Sequence, residues 1–181
     1  MHERERLLER NELIGFDEAV LPHLDAAYNL ARWLTRNDQD AEDVVQEASL
    51  RAFKYWKGFS GHDCRSWLLA IVRNTFYSWL RQRSIQPELT PDGDVDDVDD
   101  GIPNPEKALL QMADREILRA ALEDLPVEFR EAIVLREMEG LSYKEIADIS
   151  SVPIGTVMSR LARARKRLQT YLTNSAPRNC L

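Results

Sequence analysis

With 181 residues, 44% of them hydrophobic and 30% charged, the chain suits one ordinary domain or two small ones, and is neither a disordered polymer nor a membrane protein. Its formal charge of −7, from 24 Lys and Arg against 31 Asp and Glu, argues against a nucleic-acid partner when taken whole. The longest apolar run, Trp67 to Val72, is far below the roughly 20 residues a bilayer requires.

Met1 to Arg10 alternates acid and base without an apolar core, unlike a signal peptide, so a cytoplasmic protein is expected. Cys64 and Cys180 fit a reducing compartment, and His2, His23 and His62 are not at the i,i+4 spacing a zinc site would use. No metal, cofactor or catalytic constellation is expected. Sustained alternation of apolar and polar residues is absent, which predicts an all-α chain.

Helices are predicted at Phe16–Arg36, with Val20, Leu24, Ala27, Leu30, Ala31 and Leu34 inward, and at Asp40–Trp56, with Asp40 as N-cap and Asp43 at the third helical position. A loop from Lys57 to Asp63 carries Gly58 and Gly61. The third helix, Cys64–Arg83, separates into two arcs at 100° per residue. Leu68, Leu69, Val72, Thr75, Phe76, Trp79 and Leu80 form the core side; Trp67, Asn74, Tyr77, Ser78 and Arg81 lie opposite, with Arg73 at the edge. Aromatic faces stack on unpaired bases for about 1–3 kcal/mol each while arginines track phosphate, so this arc suits single-stranded nucleic acid; packing of Trp67 and Tyr77 on a neighbouring helix is the other reading.

From Ile85 to Glu106 there are eight acids and no Lys or Arg, with four prolines and two glycines, which marks a flexible linker. The flanks together carry only +1, so the linker accounts for the acidity. Each flank also ends in a basic run. No acid lies between Asp63 and Glu88, where Arg65, Arg73, Arg81 and Arg83 stand, and none follows Asp148, where Arg160, Arg163, Arg165, Lys166 and Arg167 stand. Resolved by segment, the charge restores nucleic acid as a partner.

Beyond the linker, helices are predicted at Pro105–Glu123, Pro126–Met138, Tyr143–Ser150 and Pro153–Leu172, each of Pro105, Pro126 and Pro153 in a first turn. The last two make a helix-turn-helix, with small Ala147 where the second helix crosses and Val157, Leu161, Ala164 and Leu168 as buried stripe. Thr156, Ser159, Arg160, Arg163 and Arg167 are predicted to project together, small polar groups toward base edges and basic ones toward phosphate or guanine. An ordinary helical hairpin with a solvated basic face is the competing reading.

Four blocks in order, Asp40–Ala48, Ser66–Asn74, Leu125–Ala132 and Leu141–Ala147 with Pro153–Leu161, resemble bacterial extracytoplasmic-function (group 4) sigma factors. The resemblance implies a non-catalytic specificity subunit. Residues 1–84 would bind and melt the −10 element and dock on core RNA polymerase, 85–106 would be the linker, and 107–181 would read the −35 element as duplex. It carries −10 contact roles to Trp67, Arg73, Asn74, Tyr77, Ser78 and Arg81, with His62 in a loop bordering a flipped-base pocket. It makes Asp43, Gln46 and Glu47 the surface for the clamp of the largest polymerase subunit, and gives the Pro126–Met138 helix the flap of the second-largest. An anti-sigma factor wedged between the domains is implied too. The chain departs from many relatives at Ser78, where an acid is common, and at His62-Asp63-Cys64. Rival readings are a stand-alone helix-turn-helix regulator and a decoy that titrates a regulatory protein.

Overall fold

The computed structural model describes residues 15–61, 63–85 and 105–175, with side chains except at Ile85 and 105–113. Every element among them is helical. They fall into two compact units, one holding residues 15–85 and the other the bulk of 105–175. The acidic segment at 86–104, His62 and Cys180 lie outside the described residues.

In the first unit, the single helix expected over Phe16–Arg36 is interrupted. Residues 15–20 are α-helical, Leu21–His23 tightens into a 3₁₀ turn, and α1 runs over Leu24–Thr35. Pro22 supplies the reason, since it has no N–H to continue an α-helical ladder. Arg36 closes α1 in the left-handed region (φ 59°), its N–H bonded to the Arg32 carbonyl at 2.9 Å.

Helix α2 spans Asp38–Tyr55, two residues earlier than expected, because Asn37 rather than Asp40 is the cap. Its side-chain oxygen accepts from the Asp40 backbone N–H at 3.0 Å, which leaves Asp38 and Asp40 in the first turn, where carboxylates favour the helix dipole. Helix α3 covers Cys64–Ile85. These three helices pack on one another through Ala27, Leu30, Ala31 and Leu34 of α1, Ala41, Val44, Ala48 and Ala52 of α2, and Leu68, Leu69, Val72, Thr75 and Phe76 of α3. Two residues assigned to the α3 core side leave it: Leu80 is exposed, and Trp79 is half-buried beneath the Arg83 guanidinium, 4.4 Å from its ring centre. Arg83 also pairs with Asp40 at 2.8 Å, tying the last turn of α3 to the first turn of α2.

In the second unit, α4 (Pro105–Glu123) leads to α5 (Val127–Ile133), which widens into a π-helical turn at Val134–Met138 where one continuous helix was expected. Pro126 is the cap of α5 rather than its first residue, and the Pro153 carbonyl likewise accepts the first helical bond of the last helix, from Val157. Arg130 is buried, and its guanidinium donates to the Glu123 and Leu125 carbonyls at 2.8 and 3.1 Å, satisfying the end of α4. Gly140 then takes φ 68°, which lets the Leu141 N–H reach back to the Leu135 carbonyl.

Helix α6 (Tyr143–Ser150) opens on a reciprocal cap: the Ser142 N–H donates to Glu145 at 2.7 Å and the Glu145 N–H to the Ser142 hydroxyl at 3.2 Å. Helix α7 (Ile154–Ser175) buries Val157, Leu161 and Ala164 and rests chiefly on α5 and α4; Leu168, expected in that stripe, is half-buried. No described helix is long and apolar enough to cross a membrane.

Candidate nucleic-acid interface

The loop before α3 is shaped by aromatic packing. Trp56 and Phe59 stack with ring centres 5.5 Å apart, and Trp67 closes on Phe59 at 4.7 Å and on Trp56 at 6.2 Å. Phe16 meets Trp56 edge-on at 5.5 Å and Phe53 at 5.3 Å, so five rings form one cluster. Trp67 is therefore half-buried as a wall of this cluster, rather than standing on the solvent arc where helical periodicity alone places it. Gly61 packs closely here: a Cβ would lie 3.1 Å from Cε2 of Phe59, so the ring would have to shift to admit one. Asp63 caps α3 by accepting from the Ser66 N–H at 3.0 Å, and hydrogen bonding from Ser66 holds its carboxyl below the usual aspartate range. Burial, then the charge of Asp63, pushes the Cys64 thiol up, which disfavours the thiolate that redox chemistry or metal binding needs.

Farther along α3 the structure brings the remaining sequence-predicted residues together. The Arg73 guanidinium lies 4.6 Å over the Tyr77 ring. The Ser78 hydroxyl donates to the Asn74 carbonyl at 2.9 Å, and Arg81 Nε donates to the Tyr77 carbonyl at 3.3 Å. Arg73, Asn74, Tyr77, Ser78 and Arg81 thus line one continuous strip, aromatic in the middle and cationic on both sides. On α2, Asp43, Gln46 and Glu47 are all exposed on one face, with Glu47 paired to Arg51 at 2.8 Å. Leu50, which apolar periodicity does not single out, is 63% exposed and extends this face by a turn.

On α7 the five predicted residues lie within one broad arc, Thr156, Arg160, Arg163 and Arg167 at i, i+4, i+7 and i+11 with Ser159 beside them, and none is buried. Ser159 faces outward with its hydroxyl donating to the Thr156 carbonyl at 2.9 Å. Thr156 and Arg160 are half-buried, whereas Arg163 and Arg167 on the same flank are exposed. Arg163 and Arg167 border a groove of about 520 Å³ shared with Asp124 and Phe129, and the Arg167 guanidinium sits 5.5 Å over the Phe129 ring. Helical periodicity does not reveal that groove, since it depends on where α5 lies. On the opposite flank, Arg165 pairs with Glu137 at 2.7 Å and hydrogen-bonds Tyr143; these contacts hold it firmly protonated. The Arg136 guanidinium lies 5.0 Å over the Tyr143 ring and also donates to the Leu141 carbonyl at 2.7 Å. The acid-free run on α7 leaves the whole helix cationic.

Comparison with known proteins matches residues 19–85 to the Sigma-70 region 2 family and residues 115–168 to Sigma-70, region 4. The chain is 41% identical over 159 residues to the ECF RNA polymerase sigma factor SigE of Mycolicibacterium smegmatis, covering 87% of this chain and 62% of that protein's length. It is 33% identical to the RNA polymerase sigma-H factor of Pseudomonas aeruginosa, covering 91% and 90%, and 39% identical to the ECF RNA polymerase sigma-E factor of Escherichia coli, covering 71% and 72%. Among solved structures, the sigma factor RpoE of Bartonella quintana, in complex with the anti-sigma factor NepR, superposes with a TM-score of 0.73 at 30% identity, covering 89% of this chain and 98% of that one. CnrH in complex with the cytosolic domain of CnrY gives 0.63 at 25% identity, covering 94% and 98%. With both sigma regions present in order and relatives alike over most of their length, the chain belongs to the extracytoplasmic-function sigma factors of bacterial RNA polymerase.

Proposed function

We propose that this chain is a non-catalytic subunit that binds core RNA polymerase and directs it to promoters, with residues 1–84 engaging the −10 element and 107–181 the −35 element. The observation that carries the reading is the pairing, in one chain, of two differently built surfaces. The α3 strip at Arg73, Asn74, Tyr77, Ser78 and Arg81 offers a stacking face with flanking arginines, which suits unpaired bases. Helix α7 offers a cationic helix-turn-helix, which suits duplex. Trp67, packed at the base of the strip, would support a flipped base bordered by the loop that includes His62.

In this reading Ser159, Thr156 and Arg160 approach base edges, while Arg163 and Arg167 lie toward phosphate. Asp43, Gln46 and Glu47 meet the polymerase clamp, and the start of α5 meets the flap. An anti-sigma factor covering these surfaces is part of the proposal, supported by a similar sigma factor crystallised with such a partner. Cytoplasmic location follows from work on polymerase.

A stand-alone helix-turn-helix regulator would not need the α3 strip. Run-off transcription separates the two: core polymerase plus this protein alone should yield promoter-specific product. A requirement for a second sigma factor would show a regulator instead, and no product under either condition would indicate a decoy.

A further inference from the structure

The outward crest of α7 is not where its arginines are. Val157, Leu161 and Ala164 point into the core, and advancing 100° per residue places Gly155, Ser159, Ala162 and Lys166 opposite them. Three of these four are small, so the helix backbone can approach a surface closely. No atom comes within 4 Å of where a Gly155 Cβ would stand.

Beside this crest runs an apolar edge at i, i+4, i+8 spacing: Ile154, 45% exposed, Met158, 53% exposed, and Ala162. Each large side chain leaves about half of its surface open to solvent. Both stand in the first two turns, the part of a recognition helix that enters the major groove.

The chemistry of base edges narrows what such an edge can read. In the major groove guanine, adenine and cytosine present hydrogen-bonding atoms, and only thymine adds an apolar group, its C5 methyl. A thioether chain opposite any other edge removes water from a polar atom and returns no hydrogen bond. Opposite thymine it covers methyl with methyl. The Met158 side chain is long, unbranched and adaptable, and reaches farther from the helix axis than the crest residues beside it.

We infer that Met158 reads a thymine methyl in the −35 duplex, flanked by Ile154, an inference that rests on the proposed promoter reading. Specificity at that position then comes from an apolar contact rather than from an arginine.

The test uses the holoenzyme, assembled from core polymerase and the full chain, on promoters selected from a library randomised across both elements. In a selected promoter each −35 dT is replaced singly by dU, which keeps every hydrogen-bonding group and removes only the methyl. The expected result is a loss of about five- to tenfold in promoter binding at one position for the wild type. Met158→Ala should bind the dT promoter equally less well and be indifferent to dU there, whereas Met158→Leu should keep the discrimination. Equal binding of dT and dU at every position, or a Met158→Ala protein as sensitive to dU as the wild type, overturns the inference while leaving the promoter reading intact. Failure to select any promoter overturns both.

Discussion

Arg165 of the last helix donates to Glu137 of the π-helical turn across 2.7 Å, so the most central arginine of the basic run is directed back onto its own unit. The pair is about half exposed on both sides, and such pairs contribute at most about 1 kcal/mol. We therefore expect Arg165→Gln to lower unfolding free energy by no more than that in urea titrations, with the Glu137→Arg/Arg165→Glu exchange recovering part of it. In holoenzyme binding to a promoter, Arg165→Gln should leave the slope of log affinity against log salt unchanged. Arg163→Gln should reduce that slope by about one, as loss of a phosphate contact does.

The two loop glycines before α3 should respond differently to alanine. Gly61→Ala pushes a methyl against the Phe59 ring, and Phe59 in turn supports Trp67. A cost of roughly 1 kcal/mol in stability is expected, together with weaker promoter melting by permanganate reactivity. Gly58, with nothing within 4 Å of the new methyl, should tolerate alanine in both measurements.

Asp63 predicts a specific pH window. Its carboxyl titrates below the ordinary value because Ser66 hydrogen-bonds the charged form, so its contribution is complete above about pH 3.9, the unfolded value. It is lost as pH falls through the lower folded value. Asp63→Ala should cost about 1 kcal/mol at neutral pH, and the gap between variant and wild type in denaturant titrations should close on acidification below pH 3.9. A gap unchanged across that range would mean that the carboxylate charge plays no part.

Backbone conformation gives a pair of opposite predictions. Gly140 stands at φ 68° with open space around it, so Gly140→Ala should lose about 1 kcal/mol from backbone strain alone, and Gly140→Asn less. Ser151 adopts φ 53° without being glycine, and Ser151→Gly should raise the midpoint of thermal unfolding by a few degrees or less.

The acidic segment is tested by charge. Changing Asp94, Asp96, Asp97, Asp99 and Asp100 to Asn removes five of the eight acids from Ile85 to Glu106. If these carboxylates occupy a basic channel in polymerase, core binding should weaken or short abortive products change; run-off transcription identical to wild type would show a plain tether.

Much of this architecture is legible in the chain. The bounds of α4 and α6 coincide with those read from periodicity and breakers, and α3 differs only at its end. What was missed depends on neighbours or on geometry finer than periodicity. The apolar spacing runs smoothly past Pro22, yet the missing N–H breaks the helix there. A helical wheel gives each side chain a direction but not a companion. It could place Arg167 near Arg163, while only the position of α5 brings Phe129 under its guanidinium. For the same reason Trp67 points away from the α3 core and still finds Phe59 and Trp56. The Ser142 and Glu145 cap, by contrast, is visible in the sequence from its characteristic S-x-x-E spacing.

Helix α2 carries a constraint on how the protein can drift. Its inward face is made of Ala41, Ala48 and Ala52, each fully buried, with Val44 as the one larger side chain. In a close-packed interior an added methylene finds no room, so substitutions there can run toward glycine or serine and hardly toward anything larger. The outward face, with Asp43, Gln46, Glu47 and Leu50, meets no such limit from within. Descendants of this chain should therefore show an α2 that is free to vary on its outer side, in step with polymerase if that face docks as proposed, while its inner side stays small.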